Sequence, residues 1–246
     1  MDLNDFKLVT ISNFYACARE AEAYRYFSDA LFLRVNGFGP EYDRLFLPFD
    51  TADFICTHHL IYFRDKAKWK PVAGFRNMTL RDCESYNLSF PFVKVLEESR
   101  SKDHERALQD LMAKYKAQNR DLLYYSAMTI HQEYRGIKWI SDIFKEMVCA
   151  IYYENLKLYP NSASVCAAVL RFKIDSFFSK MGYKPVSIDN KILSSTINPF
   201  AKNEPILYLT LDEAPNDFVS FCRKKHDRLI AERQVLVAPV EVNKAV

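Results

Sequence analysis

Arg135, Gly136 and Lys138 are the residues whose types and spacing best suit chemistry. They close the stretch Met128-Thr-Ile-His-Gln-Glu-Tyr-Arg-Gly136 and open an amphipathic run that reaches Leu158. The pattern predicts a strand, a tight turn at the glycine and a long helix starting at Ile137. Unpaired backbone N–H groups and the positive end of the helix dipole then point at one spot. With two cations beside them, residues Arg135, Gly136, Ile137 and Lys138 make an anion site suited to a phosphate. Arg171 and Lys173, just after a later strand, are placed to extend that patch.

Three residues are candidates for a catalytic base. Glu41 and Asp43 are two apart, so they share a face only if their segment is extended. Otherwise they read as surface carboxylates. His131 ends the predicted strand, where an imidazole can relay a proton near neutral pH, or can sit as a rim histidine bonded to backbone. Arg76 follows a glycine on a central strand; it suits a bidentate carboxylate contact or a salt bridge at a sheet face. His58 and His59 adjoin on a strand, so their side chains point to opposite faces and cannot chelate one metal together. One is expected in the core and the other at the surface. The six cysteines are scattered without a CxxC pair, which excludes a zinc-ribbon spacing and favours free thiols in a reducing compartment. No metal site is expected.

These groups need a scaffold to position them. Phe6 to Ile11 reads as a strand and Tyr15 to Leu33 as a helix, with a break at Asn36 to Pro40. Asp53 to Arg64 and Trp69 to Leu80 form an antiparallel hairpin across the polar turn Asp65 to Lys68. Leu88 to Glu98 and the highly charged Lys102 to Gln118 are helical. Leu122 to Ile130 is a strand, Ile137 to Leu158 a helix, Ala163 to Leu170 a buried strand and Ile174 to Met181 a short helix. Ile206 to Leu211 is a late strand, and Asp217 to Arg233 closes the chain as one helix, with Pro215 just before it. The expectation is a single α+β domain over residues 1–234, with an insertion helix at about 102–118 and a loose tail over 235–246. Its sheet is mixed but largely antiparallel, with helices on both faces.

A hydrophobic content of 49% in 246 residues excludes a disordered chain. A net charge of +3, mixed along the sequence, does not argue for nucleic acid, though it suits an acidic or phosphorylated partner. The N-terminus lacks a basic and apolar leader, and no apolar run reaches the roughly 20 residues of a membrane helix, so a cytoplasmic protein without a transmembrane segment is expected. The aromatic content of 15% either fills a core or lines a cavity for a greasy ligand.

The glycine unit Tyr134-Arg-Gly-Ile-Lys-Trp-Ile140 and a second unit, Val165 to Leu170 followed by Phe177-Phe-Ser-Lys-Met-Gly-Tyr183, resemble the GNAT superfamily of N-acyltransferases. The hairpin containing Pro71 to Arg76 is similar to the family's central strands. Arg34-Val-Asn-Gly-Phe38, Glu41-Tyr-Asp43 and Gly74-Phe-Arg76 further resemble acyl-homoserine-lactone synthases and long-chain N-acyl amino acid synthases, whose pattern has an arginine at the position of Arg76. Glu97-Glu-Ser-Arg100 has the spelling of those synthases' Glu-x-x-Arg pair, some twenty residues before the expected place. The resemblance implies a GNAT-like sheet with a splayed strand pair that admits pantetheine. It also implies an oxyanion donor in the backbone at Thr129 or Ile130. No permanently bound cofactor is implied. The acyl donor is coenzyme A or an acidic acyl carrier protein, and the acceptor a small amine such as an amino acid.

Three positions depart from the family pattern, in two respects. Lys138 and Ile140 stand where glycines normally let a pyrophosphate approach the backbone. Phe178 stands where many members carry a tyrosine that protonates the departing thiolate. These departures motivate an alternative: a catalytically silent module of the same fold that senses a ligand or docks a protein.

Overall fold

The computed structural model describes residues 3–39, 49–198 and 202–236, the Lys94 side chain excepted. The first strand, β1 (Phe6–Ser12), alternates between two covered faces: Phe6 and Leu8 join one core, Val9 and Ile11 another. Two helices follow, α1 (Phe14–Cys17) and α2 (Ala21–Phe38). The single helix expected from Tyr15 to Leu33 is thus split, and α2 runs on through Gly37, where a break was expected. Tertiary packing explains this: a Cβ on Gly37 would stand 1.9 Å from Thr129 Oγ1, so glycine lets the helix press onto the sheet.

The hairpin pairs β2 (Thr57–Asp65) with β3 (Lys68–Thr79). Its turn residues Lys66 and Ala67 both have positive φ, 47° and 68°, the sense that matches the strands' twist. The expected strand start at Asp53 is instead a 3₁₀ turn, Thr51–Phe54, closed by a capping box in which the Asp50 and Asp53 carboxylates each accept the other residue's backbone N–H. After β3 come three helices, α3 (Leu80–Ser85), α4 (Pro91–Ser99) and α5 (Lys102–Ala117). Glu97 and Arg100 lie at the end of α4, on its last turn and C-cap.

The next four elements follow the expected bounds to within a residue: β4 (Leu122–Ile130), α6 (Lys138–Leu158), β5 (Ala163–Val169) and α7 (Ile174–Met181). Short strands β6 (Lys184–Pro185), β7 (Ser187–Ile188), β8 (Lys191–Ile192) and β9 (Thr196–Asn198) precede β10 (Glu204–Leu211). The closing helix divides at His226 into α8 (Asp217–Lys225) and α9 (Asp227–Ala231). The buried ring of His226 meets Glu146 Oε2 at 2.7 Å there. Val235, expected to begin a loose tail, lies instead in β11 (Gln234–Leu236), which pairs parallel to β1.

The main sheet runs β11-β1-β2-β3-β4-β5-β10-β6, with β9 beside β10. Its pairs are antiparallel except β1·β11 and β4·β5. One face is covered by α2, α4 and α5, the other by α6, α7 and α8. The aromatic residues are largely spent in these cores: Phe92, Tyr115, Tyr152, Phe178 and Tyr208 are fully buried, and Phe92 meets Tyr208 edge-on at 4.5 Å. No described helix is long and apolar enough to cross a membrane.

Candidate active site at a parted strand pair

β4 and β5 pair only from Leu122↔Ala163 to Tyr125↔Cys166, although β4 continues to Ile130 and β5 to Val169. Each strand stays anchored on its other side beyond that point. β3 holds β4 as far as Ala73↔Ile130, and β10 holds β5 as far as Ile206↔Val169. The two inner edges therefore diverge as a wedge, leaving backbone donors and acceptors facing the gap. The divergence starts at a bulge: the β3·β4 register shifts between Gly74 and Arg76, and Ala127 takes the left-handed conformation with φ 54°.

Alternation along β4 fixes which groups face the wedge. The N–H of His131 donates to Val72 O on β3 at 2.8 Å, so that of Ile130 points the opposite way, toward the gap. By the same alternation Thr129 directs its N–H to β3. Its side chain is buried on the α2 face against Gly37, and among the described residues its hydroxyl has no hydrogen-bond partner. Of the two expected backbone donors, Ile130 is the one whose N–H faces the opening.

The loop between β4 and α6 lies at the end of the wedge. Gly136 has φ 81°, and a Cβ placed on it would meet nothing within 4 Å, so its requirement for glycine is conformational. Ile137 is the N-cap of α6 without a side-chain cap, and no acid stands in the first turn. The first-turn N–H groups of this 21-residue helix are therefore not capped by a side chain. Lys138 is on that turn; its side chain is 88% exposed, with Nζ 2.6 Å from Asp142. Arg135 turns inward instead. Its Nε donates to Ile130 O at 3.3 Å and its Nη2 to Gly37 O, tying the end of α2 to the end of β4. His131 is half-buried between Phe32 and Tyr134, with Nδ1 accepting from the Glu133 N–H at 3.3 Å. Glu41 and Asp43 lie outside the described residues.

On the α2 face, a small pocket under the bulge is lined by Arg34, His58, Gly74, Arg76, Ala127 and Thr129. Its polar wall is an ion network that sequence reasoning did not assemble. Asp53, fully buried, is bonded by Arg34 and by Arg76 Nη1, the latter at 2.6 Å. Arg76 also grips both oxygens of Asp50, at 3.0 and 3.2 Å, and donates to Ser126 Oγ at 3.2 Å. Arg76 is thus held among protein carboxylates at the edge of this pocket. Burial pushes the Asp50 carboxyl up, but Arg76 and Arg34 outweigh it and hold it below the usual range. Asp50 is consequently ionised, and its side chain is 47% exposed. Burial, reinforced by the charge of Arg76, lowers the Arg34 pKa against the pull of Asp53 and Asp50. The local signal for this network was the Asp-x-x-Asp spacing of residues 50 and 53, which makes a capping box.

His58 and His59 do point to opposite faces, but both are buried, which corrects the surface placement expected of one. The β2 strand is covered on both sides, by α2 and by α6. His58 Nε2 contacts Asp53 O at 2.8 Å and Cys56 Sγ at 3.2 Å. Burial takes its pKa down to about 4, leaving the ring neutral at pH 7. Asp53, Cys56 and His58 bring ligand atoms within 4.8 Å of one another. Two guanidiniums already occupy Asp53, and burial raises the Cys56 thiol, so the cluster does not suit a metal cation.

Phe178 is buried against Phe177 and Tyr183 and is part of the α7 packing.

No protein-family model matches the chain, and no curated protein matches it. Solved structures do. The acyl-homoserine-lactone synthase LasI superposes with a TM-score of 0.51 at 12% identity, covering 95% of this chain and 97% of its own. An agmatine N-acetyltransferase superposes with a TM-score of 0.51 at 9% identity, covering 85% of this chain and 100% of its own. At such identities the likeness is one of fold: the chain has the GNAT fold.

Proposed function

We propose that this protein is an N-acyltransferase that moves an acyl group from a pantetheine thioester to an amine. The observation that carries the reading is the wedge between β4 and β5, opened at Ala127 and lined by unpaired backbone. An extended pantetheine arm can add to such an edge as a strand would. The fold shared with LasI and an agmatine N-acetyltransferase supports the same reading.

In the reaction, the amine nitrogen attacks the thioester carbonyl carbon. The carbonyl oxygen takes up negative charge, which the Ile130 N–H is oriented to receive; one such donor contributes about 2.7–4 kcal/mol. The new C–N bond forms, the C–S bond breaks, and the thiolate takes up the proton that the amine loses. Asp50, ionised and half-exposed beside the pocket, is suited to draw in a cationic amine. His131 Nδ1 accepts from the Glu133 N–H, which places the ring's proton on Nε2, so His131 is suited to hand a proton to the departing thiolate. Glu41 and Asp43 remain proposed bases from the sequence. Arg76, held by Asp50 and Asp53, sets the pocket's shape and charge; a substrate carboxylate would have to share it with Asp50.

The phosphate end of the donor is assigned to the α6 N-terminus, with Gly136, Ile137 and Lys138 around it and Arg135 bracing the loop from behind. Exposed Lys138 is also suited to an acidic acyl carrier protein. A fatty acyl group remains our proposal from the sequence resemblance.

The test is thiol release by the purified chain, with acyl-coenzyme A and acyl-carrier-protein donors across a panel of amines. Amine-dependent release with at least one pairing is expected. No release above the enzyme-free rate with any pairing would contradict the assignment.

A further inference from the structure

A second cleft lies on the α6 face of the sheet, backed by β1, β2 and β3 and bounded by the end of α6 and by β11. It encloses about 370 Å³, part of it open to solvent. Its notable member is Arg233, half-buried between α9 and β11. Among the described residues its guanidinium has no ion pair and no hydrogen bond. The nearest acidic influence, Glu154, is taken up by Arg223 at 2.5 Å and Lys157 at 2.9 Å.

The rest of the cleft offers donors in excess of acceptors. His59 Nε2 and Asn155 Nδ2 both approach Asn77 Oδ1, at 2.7 and 3.2 Å. That orientation points the two N–H bonds of Asn77 Nδ2 elsewhere, and among the described residues they meet no acceptor. His59 Nδ1 accepts from the Thr10 hydroxyl at 3.1 Å, as the donation from Nε2 requires. Ser12 Oγ and Thr57 Oγ1 stand 3.1 Å apart; one hydroxyl donates to the other, and the second proton is left over. Burial drives the His59 pKa down to about 3, so its ring adds no charge at pH 7. Among the described residues no carboxylate lines the cleft. The cleft therefore holds one positive charge and several idle donors, beside the half-exposed apolar side chains of Leu158 and Val235.

We propose that this cleft binds a small carboxylate with an apolar substituent. Arg233 takes the two carboxylate oxygens with its planar fork, and Asn77 Nδ2 and the Ser12–Thr57 hydroxyl pair supply further donors. A single negative charge balances the single guanidinium, whereas a phosphate dianion would leave one charge over in a partly dry site. Leu158 and Val235 flank the substituent. The site lies across the sheet from the pocket under the bulge and does not depend on acyl transfer.

The experiment is calorimetric titration and thermal melting of the full chain with acetate, butyrate, hexanoate and inorganic phosphate, on wild type, Arg233→Gln and Ser12→Ala. Saturable binding that tightens from acetate to hexanoate is expected, with a melting temperature that rises with ligand. Arg233→Gln should weaken that binding about tenfold or more, the effect of one charge-assisted contact. Its ligand-free melting temperature should match wild type, because the Arg233 side chain has no partner to lose among the described residues. Ser12→Ala should weaken binding less. No saturable carboxylate binding, equal binding by wild type and Arg233→Gln, or phosphate binding more tightly than every carboxylate would each overturn the proposal.

Discussion

Gly37 on α2 lies directly against Thr129 on β4: a methyl group placed on the glycine would sit 1.9 Å from Thr129 Oγ1 and 3.2 Å from its Cβ. The contact sets how closely the helix approaches the wedge. Gly37→Ala should cost about 1–3 kcal/mol, the usual range for forcing atoms into a packed site. Thr129→Ala removes the hydroxyl and should recover part of that cost, giving a coupling of roughly 0.5–3 kcal/mol in a double-mutant cycle. Urea denaturation of the two single variants and the double variant measures it. Purely additive losses would show that α2 is not seated by this pair.

Asp53 is the centre of the buried ion network, bonded by two guanidiniums and fully covered. Asp53→Asn leaves those charges poorly compensated, and loss of about 3–5 kcal/mol is expected. Asp50→Asn, at a half-exposed position, should cost about 1 kcal/mol or less. Denaturant midpoints of the two variants compare them. Equal, small losses would mean that Arg34 and Arg76 find other partners or water.

Gly136 adopts φ 81° with open space around it. Gly136→Val should therefore strain the loop at the α6 N-terminus without a steric clash, whereas Gly136→Asn, a residue that tolerates left-handed backbone, should be mild. The expected readout is a several-fold rise in the KM for the acyl donor with valine and a smaller one with asparagine. An unchanged donor KM in the valine variant would remove this loop from the donor site.

His58 and His59 are held neutral in the folded protein, with pKa values of about 4 and about 3. Burial depresses both below the ordinary value of about 6.5 that applies to the unfolded chain. Below that value the unfolded state binds more protons, so stability falls as pH drops from about 6.5 toward 4 and is retained above pH 7. Each histidine contributes on the order of 3 kcal/mol of this loss by pH 4. Urea midpoints at pH 7, 5.5 and 4 test it. The pH slope should flatten in His59→Gln, and a wild-type stability independent of pH down to 4 would refute the burial of both rings.

The parts of the fold that could be read from the sequence are those governed by local pattern. β4, the turn at Gly136, α6, β5 and α7 follow from apolar periodicity and two glycines, and they lie where expected. What escaped depends on distant partners. Gly37 looks like a helix breaker until Thr129 is seen beneath it. Gln234 to Leu236 is too short to read as a strand without β1 as its partner. The ion network joins residues 34, 50, 53 and 76 from three separate segments, and periodicity carries no trace of such an encounter. Arg135 illustrates the converse: its spacing suited a phosphate, yet its side chain ties α2 to β4.

The most direct measurement is a crystal structure of the protein with a non-hydrolysable acyl-pantetheine thioether or its coenzyme A form. The pantetheine arm is expected between β4 and β5 beyond Tyr125 and Cys166, with its carbonyl oxygen about 2.7–3.1 Å from the Ile130 nitrogen and its phosphate at residues 136–140. A ligand bound elsewhere at saturation, with the wedge still vacant, would contradict the account.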